Sequence, residues 1–267
     1  MLRPFEGLAS ETDWVALREV VPAATSPLHV KGSDREVVLS TVLPLAWPAM
    51  VRADGMVFLG LQVPTRSGDI SRDLGAALEL ALAAEPGTPL RLTGLPAPGP
   101  RLQDLLDDAP LDVTVHEGFD YWIDGVAEAD TSDDDVAASM ERANATVVPT
   151  VRLSGVPAAY WCRMKERTHL RWVLPEDEDE VLNALARIAA SNGLSIGPDT
   201  RYVGAFRAHG LLVPVWDLPS DRGAADLEQP VAELRARLDD TLASAQPLST
   251  AERRARAGLT SRQLTLR

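Results

Sequence analysis

The chain has 267 residues, 45% hydrophobic and 24% charged, with 26 Lys and Arg against 39 Asp and Glu and a formal net charge of −13. These values exclude a disordered chain and allow one large or two small domains with a sizeable core. Net acidity also argues against a broad duplex-DNA binder, which needs a positive surface to neutralise phosphates.

The acidity is uneven: residues 99–150 carry 13 acids and 2 bases, whereas 249–267 carry five Arg and one Glu. The single cysteine, Cys162, can form neither an internal disulfide nor a thiolate metal cluster, which fits a reducing compartment. No apolar signal region follows Met1, and the longest uncharged run, 37–51, is broken by Pro44 and Pro48. It is shorter than the ~20 residues of a membrane helix. A cytoplasmic protein without membrane spans is expected.

In chain order, Thr12 or Asp13 would cap a helix to Val21. Residues 35–43 read as a strand. Residues 48–52 and 56–63 read as a hairpin about Asp54-Gly55, a turn dipeptide. Val57, Leu59 and Leu61 share one face and Met56, Phe58 and Gly60 the other, so this sheet should be covered on both sides. An interface between two halves would supply that cover. Leu74, Leu78 and Leu82 at four-residue spacing predict a helix over 71–84. Short strands at 90–94 and 111–116 flank a loop stiffened by Pro96, Pro98 and Pro100.

The order then recurs. A helix opens at Asp133 and runs to Asn144, followed by a strand over 147–153. Residues 158–165 and 168–174 form a hairpin turning at Glu166-Arg167. An acid-led helix ends at Asn192, with Gly193 as its left-handed C′ residue. Residues 201–207 and 211–216 form a last hairpin, and 226–242 a helix with Leu227, Val231, Leu234 and Leu238 on one stripe. Val37-Val38, Pro48-Ala49 and Val63-Pro64 find counterparts in Val147-Val148, Pro157-Ala158 and Leu174-Pro175. The expectation is an α+β protein of two tandem related halves, 1–127 and 128–248. Each would be an antiparallel sheet with helices on one face, and a basic tail would occupy 249–267.

The run Arg3-Pro4-Phe5-Glu6-Gly7-Leu8, with Thr12-Asp13-Trp14-Val15-Ala16-Leu17-Arg18-Glu19 and the closing Ala251-Glu252-Arg253-Arg254-Ala255-Arg256-Ala257-Gly258-Leu259, resembles an uncharacterised family of actinobacterial proteins. Its members often carry the labels preprotein translocase or topoisomerase. No P-loop and no set of zinc cysteines in this sequence supports either label. The element order over 132–243 is also similar, in architecture, to type III secretion chaperones, a likeness that implies protein binding without an active site.

Candidate chemistry is sparse. His29, His116, His169 and His209 are far apart and none has a second ligand at helical spacing, so no metal or cofactor is expected. Cys162 alternates with Met164 and is read as a buried structural thiol. Carboxylates come in runs (104–108, 133–135, 176–180) that suit helix N-termini better than convergent acid–base chemistry.

One constellation stands out. Alternation places Trp161, Arg163 and Lys165 opposite Tyr160, Cys162 and Met164. With His169, Arg171 and Arg207 they would form a basic, Trp-bearing sheet face, a candidate ligand-binding surface. In the tail, Ser249 and Glu252 fit a capping box, so Arg253, Arg254 and Arg256 would lie on a short helix able to dock on an acidic surface.

The function expected is a non-enzymatic adaptor or chaperone-like protein with an unknown protein partner. A small-anion sensor or enzyme using the same face is the alternative, and single-stranded nucleic-acid binding through Trp161 a more remote one.

Overall fold

The structure, a computed structural model, describes residues 1–64, 67–87, 89–90, 94–123 and 134–261. The chain forms two compact units, Met1–Val147 and Val148–Arg267. Both combine helices with a sheet, as an α+β protein should. Among the described residues no helix is long and apolar enough to cross a membrane.

The first unit opens with the segment that carries the family likeness, and that segment is structural. Phe5 is fully buried and stacks on Trp14 at 5.8 Å, and Arg3 pairs with Glu11 at 2.7 Å. Helix α1 (Glu11–Glu19) starts after Ser10 in a left-handed conformation without a side-chain cap. Thr12 and Asp13, expected as caps, are buried instead. The far end of α1 is closed by Gln62, whose Nε2 donates to the carbonyls of Leu17 and Val21.

Six short strands follow: β1 (Ala24–Leu28), β2 (Val37–Ser40), β3 (Ala49–Val51), β4 (Val57–Gly60), β5 (Pro89–Leu90) and β6 (Thr114–Val115). They form one sheet in the order β5-β3-β4-β2-β1-β6. The β3–β4 hairpin turns at Asp54-Gly55 as expected, with Gly55 at φ 91° and Asp54 Oδ1 accepting from Met56 N–H. The hairpin docks with β4 beside β2 in parallel, so this sheet is mixed rather than antiparallel.

Helix α2 (Ile70–Ala83) packs against β3 and β4. Asp69 caps its start by accepting from Ser71 N–H. Gly75 lies where a Cβ would sit 2.6 Å from the Pro100 carbonyl oxygen, so only glycine admits the chain that crosses there. That chain leads into a single-turn helix, α3 (Leu102–Leu105), which the sequence pattern did not predict. Arg35 closes the other end of α2, donating to the carbonyls of Ala81, Leu82 and Ala84.

The opposite sheet face carries Met50 and Phe58, which cluster with Phe119, Tyr121 and Trp122 and with Met140 and Ala143 of helix α4 (Asp134–Asn144). Asn144 ties this helix down by accepting from Phe119 N–H at 2.7 Å. The second cover of the sheet therefore comes from within the first unit. Helix α4, expected to open the second half at 128, belongs to the first unit, and the division falls at Val147/Val148. The predicted start of that helix at Asp133 and most of the predicted strand 90–94 lie outside the described residues.

The second unit is a five-stranded antiparallel sheet in the order β10-β11-β9-β8-β7. Its strands are β7 (Thr150–Arg152), β8 (Ala159–Met164), β9 (Arg167–Trp172), β10 (Arg201–Ala208) and β11 (Leu211–Leu218). His209 and Gly210, at φ 48° and 86°, form the two-residue turn between β10 and β11, whose handedness suits twisted strands.

Three helices cover one face: α5 (Glu178–Ala190), α6 (Glu228–Leu242) and α7 (Thr250–Thr260). Val181, Leu185 and Ile188 of α5, Val231, Leu234 and Leu238 of α6, and Leu259 of α7 share one core with Trp161, Leu170, Trp172 and Trp216. Helix α5 ends in a Schellman motif: Asn192 N–H reaches Ala189 O and Gly193 N–H reaches Ile188 O. The left-handed residue is Asn192 at φ 57°, not Gly193.

The strand-by-strand equivalence expected of a duplication does not hold. The first unit places four strands before α2, the second three before α5. The junction between hairpins is parallel in the first (β2–β4) and antiparallel in the second (β11–β9).

Candidate functional site

The β8–β9 hairpin decides which of the predicted residues meet. Its turn is Lys165-Glu166, with Lys165 at φ 57°, so Met164 pairs with Arg167 and Arg163 with Thr168. Any two-residue turn sets odd-numbered residues of one strand beside even-numbered residues of the next. Trp161 and Arg163 therefore share a face with Thr168 and Leu170, and Cys162 and Met164 share the other with His169 and Arg171. The expected gathering of Trp161 and Arg163 with His169 and Arg171 on one face is corrected accordingly.

On the helix-covered face, Trp161 is 7% exposed, part of the core, and donates its indole N–H to Arg222 O at 3.0 Å. Arg163 lies over the Trp161 ring at 5.2 Å. Arg207 pairs in register with Leu212, a core residue, and so also lies on this face. It makes a two-pronged ion pair with Glu178, both contacts at 2.5 Å. Lys165 is exposed at the hairpin tip.

The second face carries a different cluster. Cys162, His169, Asp217 and Arg201 are successive register partners across β8, β9, β11 and β10. Asp217 bridges the row: Oδ1 lies 3.0 Å from His169 Nδ1, a pair that is ionic only when the imidazole is protonated, and Oδ2 accepts from Arg201 at 2.7 Å. Arg171 stands one step along β9, its guanidinium on Met164 Sδ. Arg167 completes the odd-numbered set at the tip. Asp217 is thus contacted by Arg201 and His169, while Arg167 and Arg171 flank His169 along β9.

Burial pushes the His169 imidazole below its usual range; Asp217 opposes this, while Arg171 and Arg167 add to it. Cys162 is buried and its thiol is pushed up by burial, against a weaker pull from Arg171, which makes it a structural thiol rather than a nucleophile. Tyr160, Phe206, Val213 and Val215 on this same face are also buried, so both faces of the sheet are apolar away from the tip.

Arg167 and Arg201 were absent from the sequence-derived set. Reading 166–167 as the turn removed Arg167 from the strand. The pairing of Arg201 with Asp217 depends on the bulge between Tyr202 and Gly204, which no local signal announces.

The acidic run before and within α5 is a comb for arginines from three elements: Glu176 takes Arg235 of α6, Glu178 takes Arg207 of β10 and Asp179 takes Arg256 of α7. Asp177 caps α5 by accepting from Asp179 N–H.

The tail helix forms with the expected capping box of Ser249 and Glu252. It docks on α5 of its own unit through Ala255 and Leu259. Arg253 turns back to Leu248 O and Thr250, while Arg254 is exposed.

Among the described residues, no group of three or more His, Cys, Asp or Glu could hold a metal ion. Neither the curated proteins nor the solved structures include a match to this chain. Residues 4–267 match a family of unknown function, DUF5926, and the chain belongs to that family.

Proposed function

We propose that the protein is a non-enzymatic, cytoplasmic binding or adaptor protein that takes hold of an acidic partner through the cluster around Asp217. The observation that carries this reading is the gathering of cations at one place on an acidic chain: Arg167 and Arg171 flank His169 on β9, and Arg201 pairs with Asp217, the acid beside His169. Net charge repels an acidic partner at a distance. Beyond a Debye length of about 8 Å in physiological salt that repulsion is screened, and the local excess decides contact. Guanidinium groups suit the task because they grip carboxylate in a planar, two-pronged fashion. The thiol in the same row is shielded by burial, which favours binding over covalent chemistry.

The test is recovery of a partner on the tagged full-length chain from its native host. Changing Arg167, Arg171 and Arg201 to Gln should abolish recovery, and changing Arg163 and Arg207 to Gln should leave it intact. Equal recovery with both sets, or loss only with the second, would remove the assignment.

A further inference from the structure

In the first unit a cleft of about 490 Å³ opens beside β1 and β2. Its wall is apolar, from Leu28, Val38 and Met56, and its charged lining includes Asp34, Glu36 and Asp107. These three carboxylates are exposed, and among the described residues none of them enters an ion pair. The contrast with α5 of the second unit is direct: there, Glu176, Glu178 and Asp179 each meet an arginine of the same unit. The one arginine lining the cleft, Arg35, is held by the carbonyls of Ala81, Leu82, Ala84 and Gly55, and its single charge leaves the three carboxylates in excess.

We infer that this cleft binds a small organic cation, a guanidinium or primary ammonium group carried on an aliphatic stem. Leu28, Val38 and Met56 would hold the stem while the head stays among the carboxylates, the way long basic side chains divide themselves between apolar and polar surroundings. The volume lies within the range of roughly 300–1,000 Å³ typical of small-ligand sites. The charge pattern excludes anions and gives neutral apolar molecules nowhere to place a polar end. The site lies in the other unit from the arginine cluster and stands or falls without it.

Isothermal titration calorimetry of the full chain with agmatine, a guanidinium on a four-carbon stem, tests the inference. Saturable binding is expected, weakening by about tenfold or more when Asp34, Glu36 and Asp107 become Asn, Gln and Asn, since three exposed carboxylates at up to roughly 1 kcal/mol each together carry such a factor. Val38→Trp, which fills the apolar wall, should weaken it comparably without touching charge. On the unmodified chain, affinity should fall as salt rises from about 0.05 to 0.5 M, and N-acetylaspartate amide should not bind. Absence of saturable heat, binding of the anion as tight as that of agmatine, affinity indifferent to salt, or unchanged affinity in the carboxamide variant would each overturn the inference.

Discussion

Trp161 is the residue on which the two readings of the second unit part most sharply. On an outward sheet face, Trp161→Ala would be a surface change worth within about 0.5 kcal/mol. In the structure the indole is 7% exposed and packs in the core with Leu170 and Trp172. A buried indole removes some 200 Å² from water, an upper bound of about 5 kcal/mol at 25 cal/mol/Å². Truncations of this kind cost roughly 3–5 kcal/mol. The hydrogen bond to Arg222 O adds about 1 kcal/mol, since that carbonyl would lose its donor. Trp161→Ala is therefore expected to destabilise the second unit by about 3–5 kcal/mol. Trp161→Phe, which keeps most of the packing and loses the donor, should cost about 1–2 kcal/mol. Urea denaturation followed by circular dichroism, with hydrogen exchange of amides in β8, β9 and α5 as the local readout, measures both. Two units need not unfold together, so the exchange data carry the comparison. A cost below 1 kcal/mol for Trp161→Ala would refute the face assignment and with it the makeup of the arginine cluster.

The remaining predictions concern caps and charge. Arg35→Met removes the donor shared by three carbonyls at the end of α2. It should cost about 2–4 kcal/mol in denaturation midpoint analysis, with Arg35→Lys recovering part through its charge at the helix C-terminus. Ser249→Ala should weaken the start of α7 by about 1 kcal/mol, read as faster amide exchange in that helix while β9 and β11 are unaffected. His169 has its folded-state pKa pushed below the ordinary 6.5, so the unfolded chain takes up the proton first as pH falls. Its contribution to stability is complete above about pH 6.5 and is lost as pH drops through the lowered value; His169→Gln should flatten that part of a stability–pH profile.

Local chemistry announced much of the fold. Asp54-Gly55 and His209-Gly210 mark turns because they tolerate positive φ, and Ser249 with Glu252 marks a helix start because their side chains satisfy backbone N–H groups at its first turn. What failed was non-local. In β2 and β4 both faces are apolar, so nothing in the alternation fixes strand direction or partner, and the parallel pairing is invisible. Met140 and Ala143 give α4 an apolar side but do not say which sheet it covers. At the candidate site the alternation within β8 was read correctly. The error lay in carrying it across the turn, where Lys165-Glu166 shifts odd residues onto even ones, and in supposing that one face of β8 had to be wet. The acidic run at 176–180 was legible as a helix start; that it also pairs with arginines from β10, α6 and α7 follows only from tertiary packing.

The claim that an arginine cluster around Asp217 receives acidic groups is tested most directly by titrating the chain with a hexaglutamate peptide while following the His169 ring by NMR. Carboxylates arriving beside Arg167, Arg171 and Arg201 should raise the His169 pKa and shift its ring signals. That response should vanish when the three arginines become Gln and persist when Arg163 and Arg207 do. A His169 signal that ignores the peptide, or that loses its response only with Arg163 and Arg207, would contradict the account.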